Sequence, residues 1–353
     1  SKCGQLTCSK CALTDGCSAC SNQLGPQTLD GGIVAETNYK GELPEQNVQS
    51  PGDISGGYRA PRLSDDQVAK LQLKQGMLVG WSEEKYVTDI LPPDLPPHLA
   101  KAIRRKMRVI PEEYYTASGH VLVHPGNAAD FLELHQRWCR LKGRKIQWDT
   151  QELWSGSGRF SAGAFKRGLY VGFPVDARYG WNLANPQHQK LLDAVDALFK
   201  PVVTLNAPEC TVWSTSATTK DPEEKEAERQ SQRPMLQWLT DRTLRQVKEQ
   251  RGTLTENPTT SDLWTASPVA KCETQGLRRR RCCQCAHGAR DPVDKAPVRK
   301  QTDWLTNLGL KKTARPCPGH KVPHGQLQGT CPKSGLSRTA LAMMYPPGLV
   351  RAL

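Results

Sequence analysis

Long apolar runs and aromatic residues are both scarce in this sequence. No run of about 18 apolar residues occurs, which is close to the minimum that a membrane-spanning helix needs, and aromatic residues make up only 6% of the chain. The cysteine-bearing N-terminus also lacks the apolar stretch of a secretory signal peptide. We therefore expect an intracellular protein, nuclear or cytoplasmic, with no membrane partner.

Acidic residues are outnumbered by basic ones. The 353 residues include 35 Asp and Glu against 48 Lys and Arg, which gives a net charge of +13. This balance indicates either a nucleic-acid partner or a solvated positive face. The mean hydropathy of −0.59 leaves room for one ordinary domain, a smaller module and much polar sequence. Because residue 1 is Ser and not Met, we expect the chain to be part of a longer polypeptide.

Cysteines cluster at the two ends of the chain. Of the 13 cysteines, five precede residue 21 and six follow residue 271, which is typical of thiols kept reduced for metal binding or chemistry. Two CxxC pairs near the N-terminus offer four thiolates to a tetrahedral zinc ion. The alternative is a cysteine-rich tail that binds no metal. The four thiols are Cys8, Cys11, Cys17 and Cys20.

The composition divides the chain into four segments. Residues 1–21 are rich in cysteine, and residues 22–62 are too polar to bury a core, which predicts a disordered linker. Residues 63–144 are predicted to form a small mixed cap with helices at 63–75, 98–109 and 128–141 and a strand at 121–123. Residues 145–353 form the main domain, whose last part is basic and contains cysteines and histidines.

Short apolar runs alternate with helical spacing after residue 145, which predicts an α/β sheet. The charged residues 221–232 are predicted to be a solvated, mobile loop. The predicted strands are 146–154, 170–175, 201–205 and 252–255, and the predicted helices are 160–167, 188–199, 234–250 and 337–344.

Glycine, acidic and thiol residues follow the predicted strands. Gly156 and Gly158 allow close approach of a ligand to the backbone, at the start of a helix whose first N–H groups are unpaired. Asp176 lies about 20 positions further on, at the end of the second strand, where a dinucleotide-type fold holds its ribose-binding carboxylate. Cys210 lies in the loop after 201–205, and Glu256 follows 252–255. This order predicts a nucleotide-type cofactor site at one edge of the sheet.

These motifs resemble, in order and rough spacing, those of C5-cytosine DNA methyltransferases. The matching stretches are LWSGSGRFSAGAFKRG, VGFPVD, LNAPECTVWS and LTENP. Residues 145–353 look most like the methyltransferase-like domain of retrotransposon polyproteins of algae and protists, in which Cys-x-x-Gly and Tyr-Pro-Pro elements also recur, here at residues 285–288 and 345–347.

The resemblance implies a Rossmann-like methyltransferase sheet, S-adenosylmethionine as the cofactor and DNA, rather than RNA, as the partner. It implies that the Cys210 thiolate attacks C6 of a cytosine while Glu256 hydrogen-bonds to N3. Glu209 departs from the family pattern, since the enzymes usually carry a second proline there. The cofactor-binding residues that the resemblance and the loop spacing imply are Ser155, Gly156, Gly158, Phe160, Asp176 and Pro208.

The last part of the chain mixes arginine, cysteine and histidine. The spacing of Cys317, His320 and His324 offers zinc ligands, and either Cys285 or Cys331 would complete a tetrahedron. The basic residues near Trp304 predict a nucleic-acid surface that mainly contacts phosphate, although an arginine run is also compatible with a solvated stretch. The residues assigned to that surface are Arg278, Arg279, Arg280, Arg281, Arg299 and Lys300.

Two further hypotheses stay open at this point. One is a degenerate methyltransferase fold that serves as a nucleic-acid-binding or assembly module. The other is a nucleic-acid binder stabilised by zinc, in which the cysteine clusters dominate. Nothing in the sequence indicates an oligomeric state.

Overall fold

The computed structural model describes residues 63–79, 97, 123–214, 221–333 and 335–353. Several predictions lie outside these residues. They are the zinc site of Cys8, Cys11, Cys17 and Cys20, the linker 22–62, the helix 98–109 and most of the strand 121–123.

The first described segment is a short helix followed by a hairpin. Helix α1, Asp65–Lys70, begins with a capping box in which Ser64 and Gln67 satisfy each other's backbone N–H groups. Strands β1, Gln72–Lys74, and β2, Met77–Val79, then pair antiparallel. The prediction of one helix over 63–75 is therefore wrong after Lys70. Gln75 and Gly76, with φ of 47° and 85°, form the tight turn that such hairpins favour.

Helix α2, Ala128–Lys142, confirms the predicted helix 128–141 and ends at Gly143 in the left-handed conformation. Its apolar face contributes Phe131 and Trp138 to the main core. Burial lowers the pKa of His135 on this helix to about 4, and its Nδ1 lies 3.0 Å from the Phe131 carbonyl oxygen. His135 is thus a neutral core residue.

The main sheet has five strands in the order β3-β4-β5-β7-β6. Strands β3, β4 and β5 are parallel, whereas β7 runs antiparallel to both of its neighbours, β5 and β6. Residues 171–175 run beside β3 through two single bridges, at Val171 and Val175, and form no continuous strand as 170–175 had predicted. The strands are β3 Thr150–Leu153, β4 Val203–Asn206, β5 Gly252–Pro258, β6 Arg278–Cys283 and β7 Gln301–Thr306.

The remaining helices match most of the predicted positions. The predicted helices 160–167 and 188–199 are shifted by at most two residues, but 337–344 is shortened to a single turn. The observed helices are α3 Arg159–Lys166, α4 Pro186–Phe199, α5 Pro222–Lys248, α6 Ser267–Thr274, α7 Arg338–Leu341 and α8 Pro347–Ala352. Turns of 3-10 helix lie at Pro125–Asn127, Ala177–Tyr179, Asp262–Thr265 and Gln284–His287.

Residues 222–232 are helical, which corrects the prediction of a mobile loop over 221–232. They form the first part of the 27-residue helix α5. The Asp221 side chain caps the helix by accepting hydrogen bonds from the N–H groups of Glu223 and Glu224, at 2.8 and 3.2 Å. The two glutamates also favour the positive end of the helix dipole. Asp221 as the cap and Pro222 at the first helical position are sequence signals that predict the start of a helix.

Aromatic stacking fills the core between the sheet and the N-terminal helices. Trp148 and Phe199 stack with ring centroids 3.9 Å apart, and Phe131 meets Phe173 edge-on at 5.3 Å. A second apolar cluster includes Trp304, whose indole N–H points to the Cys282 sulfur at 3.3 Å. Trp304 is therefore buried in the sheet and is not part of the predicted nucleic-acid surface.

Within the described residues, no helix is both long enough and apolar enough to cross a membrane.

Candidate active site

The glycine loop between β3 and α3 is a tight turn. Trp154, Gly156 and Gly158 all have positive φ, of 53°, 49° and 61°. This conformation is easy for glycine and strained for tryptophan. The Gly158 N–H donates to the Ser155 carbonyl at 2.7 Å, which closes the turn. This hydrogen bond fixes the conformation of the residues that follow β3.

Asp176 connects the second strand-like segment to this loop. One carboxylate oxygen accepts the Gly156 N–H at 2.9 Å, and the other accepts the Arg178 N–H at 3.1 Å. The Arg178 guanidinium donates in turn to the Gly156 carbonyl at 3.3 Å. Asp176 thus fixes the loop, and because a carboxylate has more acceptor sites than these two bonds use, it retains the capacity to accept a ligand hydroxyl.

The loop that carries Cys210 follows β4 and is held by hydrogen bonds to β5 and within the loop itself. The Asn257 side chain on β5 donates to the Pro208 carbonyl at 3.0 Å. The Cys210 carbonyl accepts the N–H groups of Trp213 and Ser214, at 3.1 and 2.8 Å. These bonds hold the cysteine beside the end of β5, with its side chain partly exposed.

Glu209, the residue that departs from the family pattern, lies half-buried next to Cys210. Its carboxylate accepts hydrogen bonds from both the N–H, at 3.3 Å, and the hydroxyl of Thr211. Thr211 therefore stabilises part of the negative charge that lies beside the Cys210 thiol.

Glu256 lies within β5, which extends to Pro258 and so is longer than the predicted strand. The residue is only 7% exposed, and its Oε1 atom has no hydrogen-bond partner among the described residues. The Lys300 ammonium lies 3.9 Å from that oxygen, too far for a hydrogen bond but close enough to balance its charge. Burial of a carboxylate oxygen without a hydrogen-bond donor is unfavourable. A ligand that donates a hydrogen bond to this oxygen would therefore be stabilised there.

One cavity of about 270 Å³ joins these parts. Cys210 and Glu256, 46 positions apart in sequence by their numbers, both line it. Gly158 and Phe160 are not among its lining residues: Gly158 is the N-cap of α3, and Phe160 packs in the second apolar cluster. The predicted cofactor residues that do line it are Ser155, Gly156, Asp176 and Pro208.

The lining residues that were not predicted as parts of the site include Glu152, Lys300 and Tyr345. Glu152 on β3 is fully buried, and Tyr345 closes the cavity from the C-terminal segment. Lys300 was assigned to the nucleic-acid surface, but it lines the cavity beside Glu256. The Tyr-Pro-Pro element was a readable signal for Tyr345, whereas nothing local marks Lys300, which precedes the unpredicted strand β7.

Tyr345 stays protonated in this environment. Burial, together with the nearby Glu256 and Glu152 carboxyls, raises the pKa of its phenol well above the usual range. The Arg159 guanidinium donates to the Tyr345 carbonyl at 2.8 Å and so fixes the residue against α3. The cavity therefore contains a neutral hydroxyl close to its acidic groups.

No protein-family model matches this chain, and no curated protein matches it at a significant level.

A second cluster of chemical groups lies outside the cavity. The ligand atoms of Cys285, Cys317, His320 and His324 all lie within 4.8 Å of one another. This is the set predicted with Cys285 as the fourth ligand. The alternative fourth ligand, Cys331, is buried and is not in the cluster. The arrangement could hold a metal ion such as zinc.

The predicted arginine run forms the edge strand β6. Arg278, Arg279, Arg280 and Arg281 are all exposed. Arg279 pairs with Glu273 at 2.9 Å and Arg281 with Asp303 at 3.0 Å. Like Arg278 to Arg281, Arg299 is exposed and does not line the cavity.

Proposed function

We propose that the chain is a methyltransferase-like domain that transfers a methyl group to C5 of cytosine in DNA, within a polyprotein of retroelement type. The observation that carries the proposal is the common cavity of Cys210, Glu256 and the glycine loop. A nucleophilic thiol and a carboxyl are the two groups that the reaction requires beside a cofactor.

The sheet supports the proposal. Three parallel strands end at the cavity, since the loops after β3 and β4 and the last part of β5 line it. Ligands of parallel α/β sheets bind at this end of the strands. One antiparallel strand, β7, lies between β5 and the edge strand β6, on the far side of β5 from β3 and β4.

The chemistry of the lining fits S-adenosylmethionine, which when bound supplies an electrophilic methyl group on a positively charged sulfur. Asp176 retains acceptor capacity for a ribose hydroxyl. Trp154 and Trp181 contribute aromatic rings to the lining, which suits an adenine ring and a cation. Gly156 leaves room at the loop, since a side-chain carbon built there would meet no atom closer than 4.0 Å.

Cys210 and Glu256 have complementary roles in this proposal. The Cys210 thiolate forms a bond to C6 of the base, and the displaced electron pair makes C5 nucleophilic toward the methyl group. Glu256 shares a proton with N3, which stabilises the charge that develops on the ring. Loss of the C5 proton to solvent then expels the thiolate and restores the aromatic ring. The base has to leave the duplex stack to reach the cavity.

A methyl-transfer assay on cytosine-containing DNA tests the proposal. Cys210→Ser should abolish transfer while leaving S-adenosylmethionine binding, measured by calorimetry, unchanged. Cys139→Ser, on α2 and away from the cavity, is the matched control and should transfer normally. Normal transfer by Cys210→Ser would exclude the mechanism.

A second function, nucleic-acid binding without transfer, is favoured by the row of four exposed arginines on edge strand β6. Such a row suits phosphate contacts. Under this alternative the chain binds DNA but shows no heat of binding with millimolar S-adenosylmethionine, whereas the methyltransferase proposal requires saturable cofactor binding.

A further inference from the structure

The cysteine and histidine cluster joins two distant parts of the main domain. Cys285 lies in the 3-10 turn Gln284–His287, directly after β6. The other three ligands, Cys317, His320 and His324, come from the segment between β7 and α7. An ion held by all four would therefore tie that segment to the end of the sheet.

The spacing of the ligand atoms suits a tetrahedral ion. Zinc–sulfur and zinc–nitrogen bonds of about 2.3 and 2.0 Å place a sulfur and a nitrogen ligand about 3.5 Å apart in a tetrahedron. The Cys317 sulfur lies 3.4 Å from the His324 Nε2 atom. The rings of His320 and His324 meet at 88° with centroids 5.0 Å apart, so they approach the shared centre without stacking.

An unpaired atom points independently to a ligand. The Nε2 atom of His320 is shut off from solvent and has no hydrogen-bond partner in the part of the chain that the structure describes. Burial of a polar nitrogen without a partner is unfavourable. Coordination of an ion by the imidazole removes that cost, since a metal-bound histidine uses one nitrogen for the metal.

The segment that carries three of the ligands is held by isolated hydrogen bonds, such as those from the Cys283 N–H to the Arg315 carbonyl at 2.8 Å and from the Gly325 N–H to the Pro297 carbonyl at 3.0 Å. Between Thr306 and Arg338 its described residues form no helix and no strand beyond single bridges, such as Val298 with Gly325. Structureless connections of this length are uncommon in compact domains unless something fixes them. One fastening is the ion pair of Arg338 with Asp291 at 2.7 Å. A metal would supply another fastening at the middle of the segment.

We infer that Cys285, Cys317, His320 and His324 hold a structural zinc ion. Four protein ligands close the coordination sphere, which distinguishes a structural site from a catalytic one. The zinc ion fastens the segment that leads into Ala340, Met343 and Tyr345, which line the cavity. Its role is thus to hold one wall of the cavity in place, and the inference stands whether or not the cavity transfers methyl groups.

Zinc content measured on the full chain by mass spectrometry tests the inference. Because the N-terminal cysteines offer a second set of thiols, the reference protein is the Cys8→Ser/Cys11→Ser variant. It should contain one zinc per chain after dialysis, and addition of Cys317→Ser should reduce the content to none. Addition of Cys139→Ser, the matched control, should leave it at one. A reference protein without zinc, or an unchanged content with Cys317→Ser, would overturn the inference.

A ligand exchange separates coordination from simple misfolding. His324→Ala should lose the ion, whereas His324→Cys should retain it because a thiolate replaces the imidazole. In the cobalt-substituted protein, His324→Cys should also show stronger thiolate-to-metal absorption than the reference, with tetrahedral visible bands in both. Equal zinc content in all three proteins would show that His324 is not a ligand.

Discussion

Glu152 is a buried residue of β3 whose carboxyl group is hydrogen-bonded to α3. Both the N–H and the hydroxyl of Ser161 donate to one of its oxygens, at 3.0 and 2.5 Å. Burial, reinforced by the neighbouring Asp176, raises the pKa of Glu152 to about 7 in spite of these bonds. The residue is a positioning group for the glycine loop, because it ties the strand before the loop to the helix after it.

The raised pKa of Glu152 predicts a pH-dependent stability. The folded state holds this proton more tightly than the unfolded chain, where a glutamate has a pKa of about 4.3. The stabilisation is therefore complete below about pH 4 and is lost as the pH rises through about 7. Urea unfolding should show that the wild type loses more stability between pH 5 and 8 than Glu152→Gln does. Glu133→Gln, at an exposed position on α2, should behave as the wild type, and parallel pH profiles for all three proteins would contradict the assignment.

The Glu256 carboxyl acts on the base in the proposed reaction. If this carboxyl shares a proton with the base, Glu256→Gln should lower the rate of methyl transfer by about 10²- to 10⁴-fold, the range for general acid–base groups. Cofactor affinity should not change, because Glu256 acts on the base. Single-turnover assays with Glu133→Gln as the control measure both quantities. A rate within a few-fold of the wild type would remove Glu256 from the mechanism.

Helices α4 and α5 are joined by a buried ion pair that also contacts the end of β4, where the Cys210 loop starts. The Arg242 guanidinium on α5 binds both carboxylate oxygens of Asp196 on α4, at 2.5 and 2.6 Å, and also donates to Asn206 at the end of β4. Both members of the ion pair are buried. This network positions the end of the strand from which the loop starts.

Loss of that network should be costly. Arg242→Ala leaves the Asp196 carboxylate buried and unpaired, and we expect a loss of about 3–5 kcal/mol in the free energy of unfolding. Arg245→Ala, three residues along the same helix, removes an ion pair with Asp193 that is largely exposed. We expect that change to cost at most about 1 kcal/mol. Similar losses for the two variants in urea unfolding would contradict the buried role.

The sequence predicted elements where local signals were strong. The apolar spacing of α2 and α4 predicted both helices. The order of Gly156, Asp176, Cys210 and Glu256 predicted a common site, and these residues line one cavity. Strand β7 was missed because Trp304 lies next to basic residues, which suggested a surface. The Tyr-Pro-Pro element marked Tyr345, whereas the contribution of Lys300 depends on how distant segments pack, and no local pattern in the sequence encodes that packing.

At the scale of the whole molecule, the positive charge predicts binding to nucleic-acid phosphates. Arg278 and Arg280 are exposed on edge strand β6. If they contact phosphates, Arg278→Ala/Arg280→Ala should weaken DNA binding evenly across sequences and reduce the slope of log affinity against log salt by about two. Lys70→Ala/Lys74→Ala, exposed on the hairpin side, is the control with the same change of charge. Equal slopes for both double variants would assign the effect to net charge alone.

Capture of a covalent intermediate tests the central claim, that Cys210 and Glu256 with the glycine loop form a cytosine methyltransferase site. In DNA that contains 5-fluorocytosine, the fluorine replaces the proton that must leave C5, so the bond between Cys210 and C6 cannot be released. We predict a DNA–protein adduct that requires S-adenosylmethionine, maps to Cys210 by mass spectrometry and is absent from Cys210→Ser but present in Cys139→Ser. Absence of an adduct at Cys210, with DNA and cofactor both shown to bind, would contradict the account.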